Sequence, residues 1–248
     1  MIYGLYHSAA GMLTNEYRQD VVANNLANAE TPGFKRDIAS FAERQPAAVA
    51  GVRTGPSNES LGALSGGLWL GQTVTDFRPG SLQPGGALDI ALDGPGFLKV
   101  AADGKQYATR DGRMVIDNFG RLLSAADGAA VLGMGDVPVR LNPRGGDPQI
   151  DEDGRISQNG VVVGQLALVD YADYDKLRKV GGGKLSAEGA EEIDSPAFVR
   201  AGFVESSGVE PVKELVSMIE ASRAYQLNAQ MVTLQDQTVG LLISVVSR

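Results

Sequence analysis

The side chains that most often carry out catalysis are scarce in this sequence. Its 248 residues include no cysteine and a single histidine, His7. Thiolate nucleophiles, disulfides and cysteine metal sites are therefore excluded, and a Ser-His-Asp triad or a multi-histidine metal site would have to rely on His7. We expect His7 to be a partly buried helix residue. The sequence thus predicts no catalytic residue, no cofactor and no metal site.

Carboxylates are the remaining candidates for acid–base chemistry. Asp89 and Asp93 could form the carboxylate pair of a glycosidase, and so could Asp151 and Asp153, but such a pair must flank a cleft at a set separation. The second pair, followed by Gly154, also resembles the start of a calcium loop. The later ligands of an EF-hand are missing, so a turn is the preferred interpretation. A single tryptophan leaves little means of stacking a sugar ring.

One glycine-rich segment invites comparison with a phosphate-binding loop. Residues 181–183 are glycines and precede Lys184. Leu185 stands where that loop needs Ser or Thr, and the loop's first glycine is missing. We interpret the segment as a flexible loop.

The charge and the hydropathy pattern exclude two classes of partner. The net charge is −8, and there is no Lys/Arg cluster of the kind that binds nucleic acid. The longest apolar run, residues 238–246, is about half of the roughly 20 residues that span a bilayer, so we expect no transmembrane segment. Tyr3, Tyr6 and His7 interrupt any apolar core of a signal peptide, so we expect none to be cleaved.

Both ends of the chain follow helical periodicity. From Leu5 onward, apolar or small residues recur every three or four positions, and the Pro-Gly pair at 32–33 is a strong stop signal. We predict a helix that fades near Ala29. From about Val209 to Ser247, two neighbouring lines of such residues predict a long second helix. Their average spacing of about 3.5 residues is that of a coiled-coil seam.

The middle of the chain has the pattern of β structure. Short apolar runs alternate with Asp-Gly and Asn-Gly pairs, which favour tight turns. These pairs begin at Asp93, Asp103, Asp111, Asp127 and Asn159. Residues 116–122 and 150–156 share one strand–turn–strand pattern. Residues 38–67, which are rich in Ala, Gly, Pro and Ser, are predicted to be a linker or a poorly ordered loop.

We therefore predict an α+β fold in which terminal helices flank a mostly-β domain and pair as a coiled-coil-like stalk. The predicted divisions are an assembly helix at 1–37, a linker at 38–67, a β-rich domain at 68–203 and a second assembly helix at 204–248. A helix pair alone leaves much apolar surface in water, which marks an interaction site. Copies of the same helices would cover it, and a contact of this kind that closes no ring builds a filament.

The chain ends also carry recognisable motifs. Residues 5–12 read Leu-Tyr-His-Ser-Ala-Ala-Gly-Met, residues 24–28 read Asn-Asn-Leu-Ala-Asn, and residues 31–36 read Thr-Pro-Gly-Phe-Lys-Arg. Together they closely resemble the N-terminal signature of flagellar basal-body rod and hook proteins. Further segments resemble the β core and closing helix of that family, namely residues 87–97, 109–113, 204–209, 214–216 and 223–226. Gly208 departs from the family pattern by replacing an Asn that could cap the closing helix.

The resemblance implies a structural subunit of the bacterial flagellar axial structure. Its partners would be copies of itself, other rod and hook proteins and the flagellar type III export apparatus. It would lie in the basal body, spanning the periplasm, after export without a cleaved signal. Chain length and the modest β region favour a rod subunit over a hook subunit. The residues predicted to form the assembly interface are Leu5, Ala9, Met12, Leu13, Asn24, Asn25, Leu26, Asn28, Phe34, Leu215, Met218, Ile219, Arg223, Tyr225, Val232 and Val239.

Several alternatives stay open from sequence alone. The asparagines near the end of the first helix fit a frayed helix end, or amides that bond between subunits and fix helix register. Arg223 fits a solvated face, where it would pair with Glu220, or an interface contact. At the level of function, the alternatives are a hook subunit, a carbohydrate-active β protein, or an adhesive fibre protein that would also polymerise.

Overall fold

The structure is a computed structural model that describes residues 2–43 and 68–246. The Ala/Gly-rich runs at 45–51 and 62–67, which are central to the predicted linker, lie outside the described residues. The chain forms two compact units. We call residues 2–27, 37–43, 68–75 and 210–246 the helical unit, and residues 28–36 and 76–209 the β unit.

Two long helices dominate the helical unit. Helix α1 spans Ile2–Ala27 and helix α2 spans Pro211–Val246, which have 26 and 36 residues. Pro211 is the first residue of α2, where the missing N–H of proline costs nothing. Among the described residues, neither helix is long and apolar enough to cross a membrane.

Short strands complete the helical unit and build most of the β unit, which also contains a 3-10 helix at Tyr174–Lys176. The strands are β1 (Arg36–Ile38), β2 (Phe41–Glu43), β3 (Leu68–Leu70), β4 (Val74–Asp76), β5 (Leu82–Pro84), β6 (Ile90–Asp93), β7 (Phe97–Ala102), β8 (Lys105–Thr109), β9 (Met114–Ile116), β10 (Leu122–Ser124), β11 (Ala130–Gly133), β12 (Val137–Pro138), β13 (Gln149–Ile150), β14 (Arg155–Gln158), β15 (Val161–Gln165), β16 (Leu168–Tyr171), β17 (Arg178–Gly181), β18 (Lys184–Ser186), β19 (Glu192–Asp194), β20 (Phe198–Ala201) and β21 (Phe203–Glu205). Strand β2 pairs with β3, and β1 pairs with β4. The predicted linker therefore begins with a strand at 41–43, because that segment finds a partner beyond the linker.

Strand β7 is the centre of the β unit. It pairs with β8 along one side, and its other side is shared between β16 and β11. One row of the sheet therefore runs β17-β18-β8-β7-β16-β19, and a branch continues through β11, β10 and β9. Ile90, Leu98 and Ile156 are fully buried in the main apolar core, and a second core surrounds Phe97.

The two copies of the internal repeat fold as the same hairpin. In the first, Asp117 N donates to Arg121 O at 3.0 Å, and Gly120 N donates to Asp117 O at 3.0 Å. In the second, the equivalent bonds from Asp151 N and Gly154 N are both 2.9 Å. The predicted strand–turn–strand pattern is therefore confirmed, and Asp151 is part of a turn.

One predicted turn is wrong. Asp103 and Gly104 both have positive φ angles, 51° and 74°, as the tight hairpin between β7 and β8 requires. Asp111 and Gly112 instead lie in an irregular connection before β9, where Gly112 O accepts a 3.0 Å bond from Ile90 N. Gly112 is needed there for close approach, since a Cβ would lie 1.8 Å from Ile90 O.

The α+β class, with a mostly-β middle between terminal helices, is confirmed. Helix α1 ends at Ala27, slightly before the predicted Ala29, and α2 begins close to the predicted start. The division of the chain at residues 37, 67 and 203 stays a prediction.

Candidate assembly surfaces

The two helices of the helical unit pack side by side in antiparallel orientation. Gly4 faces Gln235 and Gly11 faces Asn228, at distances that leave little room for a Cβ. Farther along α1, an Arg18 nitrogen lies 3.6 Å from a Glu220 oxygen, and Asn25 Nδ2 lies 3.4 Å from Glu214 Oε2. The four α1 residues, Gly4, Gly11, Arg18 and Asn25, follow one another at intervals of seven positions, which is the repeat of a coiled-coil seam.

The seam between the helices is made mainly of small and polar side chains. On α1 it contains Gly4, Gly11 and Asn25, with Ser8 and the apolar Val22 also buried on this helix. Opposite them, Ala221 of α2 is fully buried. Small residues let the helix backbones approach closely, so this contact does not need the large apolar side chains of either helix.

Those large apolar side chains are exposed. On α1, Leu13 is 62% exposed and Tyr6 is 56% exposed, and on α2 Leu227 is 63% exposed. The other exposed apolar side chains of the two helices are Leu5, Val212, Leu215, Val216, Ile219, Met231, Leu234, Val239, Leu241, Leu242, Ile243 and Val245. An apolar surface of this extent on a helix pair is typical of an interaction site.

The interface residues predicted from sequence fall into three groups. Those exposed on the helical unit are Leu5, Ala9, Leu13, Asn24, Leu215, Ile219, Arg223 and Val239. Those that are half-buried are Met12, Leu26, Asn28, Met218, Tyr225 and Val232. The remaining two, Asn25 and Phe34, are buried within the chain, so their side chains serve its own fold.

Asn25 holds together three parts of the helical unit. Its Nδ2 donates to Asp37 O at 2.8 Å, and its Oδ1 accepts from Asp37 N at 2.9 Å. Thr75 Oγ1 donates to Asp37 Oδ1 at 2.8 Å, and the carboxylate of Glu214 lies beside the amide. Because Asn25 is only 1% exposed, its amide fixes α1 against its own chain. Its neighbour Asn24 is exposed.

Within the β unit, the segment after α1 lies along the segment before α2. Gly33 N donates to Glu205 O at 2.8 Å, and Gly208 N donates to Phe34 O at 2.8 Å. Ser207 Oγ donates to Asn28 O at 2.9 Å. Ser207 therefore bonds the two segments instead of capping α2, and Gly208 lies three residues before the helix begins.

A buried ion cluster joins the same two segments. Lys35 Nζ lies 2.5 Å from Glu205 Oε1, and Arg110 Nη1 lies 3.2 Å from Glu205 Oε2. Each of the three side chains is at most 4% exposed. Loss of water lowers the pKa of Lys35 below its ordinary value of 10.5, although the charge of Glu205 opposes the shift. Gly80 N also donates to Glu205 Oε1 at 2.8 Å, so this carboxylate is the centre of the cluster.

Sequence reasoning identified Lys35 only as part of a motif and missed its partners. No local pattern marks Arg110 or Glu205 as buried, because Glu205 is 170 residues from Lys35. The one available signal was that a lysine directly follows the buried Phe34 in a segment with strong turn residues.

Asp89 and Asp93, two of the carboxylates considered for glycosidase chemistry, contact groups of their own chain. Asp89 Oδ2 accepts from Gly86 N at 2.7 Å, and Asp93 contacts Arg200 at 3.3 Å. Asp153 lies at an open cleft of about 950 Å³. At this cleft, Lys99 Nζ contacts Asp136 at 2.9 Å and Glu192 at 3.0 Å. Where the structure describes the chain, no three His, Cys, Asp or Glu side chains come together as metal ligands.

The glycine-rich segment and the histidine have ordinary surroundings. Gly181 ends β17, the next two glycines connect it to β18, and Lys184 forms an ion pair with Asp127. His7 is half-buried on α1, with its ring edge-on to that of Tyr6.

Comparison with known proteins adds two matching family models. Residues 5–35 match the family described as flagella basal body rod protein, and residues 200–245 match the C-terminal family of flagellar basal body rod FlgEFG proteins. These ranges contain most of both helices. They also contain Lys35 and Glu205 of the buried ion cluster.

Full-length relatives agree with these matches. The chain is 34% identical to the flagellar basal-body rod protein FlgF of Caulobacter vibrioides, over 98% of this chain and 96% of that protein. It is 29% identical to the flagellar basal-body rod protein FlgG of Bacillus subtilis, over 98% of this chain and 99% of that protein. It is also 30% identical to FlgF of Mesorhizobium japonicum, over 91% of this chain and 90% of that protein.

Proposed function

The chain belongs to the flagellar basal-body rod protein family, and from that premise we propose that this structural rod subunit polymerises through the exposed faces of α1 and α2. Its neighbours in the assembly would be copies of itself and other flagellar axial proteins. The predicted interface residues that are exposed, such as Leu13 and Ile219, would contact those neighbours.

The composition of the helix seam is the observation that carries this proposal. A monomeric helical hairpin would place its largest apolar side chains in the seam, since their burial is the main source of stability. Here the seam holds Gly11 and Asn228, while Leu13 and Leu227 point to solvent. This arrangement reserves the apolar faces for other subunits. A contact of this kind that closes no ring extends into a helical assembly.

The subunit would be exported by the flagellar type III apparatus without a cleaved signal and would lie in the part of the basal body that spans the periplasm. We propose no catalytic role, since Lys99 and Arg200 pair with carboxylates at the cleft of the β unit. Those ion pairs are suited to holding strands in place.

The test compares charged substitutions on and off the helices in the full chain. Leu13→Glu and Leu227→Glu should leave the monomer folded by circular dichroism, because both side chains are exposed, and should abolish rod assembly and swimming in a strain that lacks the wild-type gene. Phe119→Glu is the matched control, because Phe119 is 80% exposed on the β unit. Normal rods from both helix variants would contradict the proposal.

A further inference from the structure

The β unit presents two edge strands at opposite ends of one row of its sheet. In the row β17-β18-β8-β7-β16-β19, β18 is the only described strand that pairs with β17, and β16 is the only described strand that pairs with β19. An edge strand offers unpaired N–H and C=O groups, and proteins normally protect it from joining another sheet. The two edges of this row can therefore be compared as possible contact surfaces.

The two edges carry opposite charge. Strand β17 contains Arg178 and Lys179, and strand β19 contains Glu192 and Asp194 with Glu191 just before it. Lys179 packs over the ring of Phe34, and Glu192 contacts Lys99, so both are held within the chain. Arg178, Glu191 and Asp194 are exposed charges at the two edges.

Each charged edge also has an exposed apolar residue. Val180 of β17 is 53% exposed, and Ile193 of β19 is 44% exposed. Val180 lies at an irregularity in the β17–β18 pairing, between Lys179 and Gly181, and Ile193 lies between Glu192 and Asp194. An exposed β-branched residue beside a charge is suited to a cross-strand pair, which contributes to sheet stability.

The signs of the charges select among the contacts that two copies could make. Two β17 edges would oppose like charges, and so would two β19 edges, which is destabilising. A β17 edge facing a β19 edge would bring Arg178 near Asp194 or Glu191 and would be attractive. The allowed contact is heterologous, so it propagates from copy to copy and does not stop at a dimer.

We propose that the basic edge β17 of one copy binds the acidic edge β19 of the next copy, which continues the sheet from one β unit to its neighbour. The inference rests on the proposed function in one respect, namely that copies lie side by side in an assembly. It adds to the helix contacts a second contact, made by the β units.

The absence of cysteine from the sequence makes a cross-linking test clean. In the full chain, Val180→Cys combined with Ile193→Cys should give a ladder of three or more linked copies in isolated basal bodies treated with an oxidant or a short bismaleimide. Each single variant should give no linked species. Val115→Cys combined with Val161→Cys is the control, since both residues are exposed on strands outside the proposed contact.

Three outcomes would overturn the proposal. Dimers from either single variant would show that like edges meet. A yield no higher than that of the control pair would show that the edges are only protected by charge. Linkage of either cysteine to a different protein would show that another axial subunit, and not a second copy, occupies the edge.

Charge reversal gives an independent readout. Arg178→Glu in the cysteine pair background should reduce the ladder by about tenfold or more, because like charges then oppose each other. Adding Asp194→Arg should restore it. A ladder that is indifferent to Arg178→Glu would contradict the charge argument. If the cysteine variant enters rods and no ladder forms, the edge contact alone is refuted. If the unsubstituted chain does not enter rods at all, the proposed function is refuted.

Discussion

Gly11 of α1 lies so close to Asn228 of α2 that a Cβ on the glycine would be 3.0 Å from the amide nitrogen and 3.0 Å from the amide oxygen. Asn228 Nδ2 also donates to Ala224 O at 3.0 Å, which limits how far the side chain can move away. A side chain at position 11 would therefore require Asn228 to shift.

Gly11→Leu should weaken the pairing of the helices. Although leucine favours a helix more than glycine by up to about 1 kcal/mol, overpacking the seam should cost about 1–3 kcal/mol. The measurement is thermal unfolding of the full chain followed by far-UV circular dichroism. Ala9→Leu is the control, because Ala9 is exposed on the same helix. An equal melting profile for the two variants would show that the seam is not close-packed.

Glu205 should be the least replaceable member of the buried cluster. Glu205→Gln removes the one negative charge between Lys35 and Arg110 and leaves two buried cations, so we expect a loss of about 3–5 kcal/mol. Lys35→Met should cost less, because Glu205 keeps Arg110 and Gly80 N as partners. Urea denaturation of both variants gives the comparison. A larger loss for Lys35→Met would refute the assignment of Glu205 as the centre.

Local features of the fold could be predicted from sequence, and long-range ones could not. The helices and the hairpin at residues 103–104 follow from periodicity and turn chemistry, which act over a few residues. Asn25 was ambiguous because its partner Glu214 is 189 residues away. The composition of the helix seam could not be predicted for a related reason. The spacing of apolar residues shows which helix faces are apolar. It does not show whether these faces pack against the same chain or against another.

The pH dependence of stability should include a contribution from Asp136. A hydrogen bond from Lys99 lowers the pKa of Asp136 below its ordinary value of 3.8. A lowered carboxyl pKa contributes stability above about pH 3.8, and this is lost as the pH falls through the folded-state value. Asp136→Asn should therefore destabilise the protein at neutral pH, and the difference from wild type should vanish in acid. The loss should stay below about 1 kcal/mol, because Asp136 is partly exposed and screened.

The matched control for this comparison is Asp147→Asn, since Asp147 is exposed. Asparagine suits position 136 because the backbone there has a φ of 59°, a conformation that Asn tolerates. Urea midpoints measured from neutral pH to about pH 3 would show the effect. A difference between Asp136→Asn and wild type that persists unchanged at the lowest pH would contradict the role of the Lys99 contact.

Two glycines that follow aspartate should differ sharply when each is replaced by alanine. At Gly104 a Cβ would meet no atom within 4 Å, so the cost arises only from the positive φ and should be about 1–2 kcal/mol. At Gly112 the Cβ would lie 1.8 Å from Ile90 O, and Ile90 is fully buried, so the chain must move within the core. We expect about 3 kcal/mol or more for Gly112→Ala.

The two substitutions differ because Gly104 is required by the backbone conformation of a turn, whereas Gly112 is required by the close approach of Ile90 O. Gly104→Asn separates the two causes further, because Asn tolerates positive φ and should recover part of the loss at position 104. At position 112 no residue with a Cβ relieves the contact with Ile90 O, so Gly112→Asn should be at least as harmful as Gly112→Ala. Denaturation midpoints of the four variants test the pattern, and a rescue by Asn at position 112 would show that backbone conformation, and not close approach, requires that glycine.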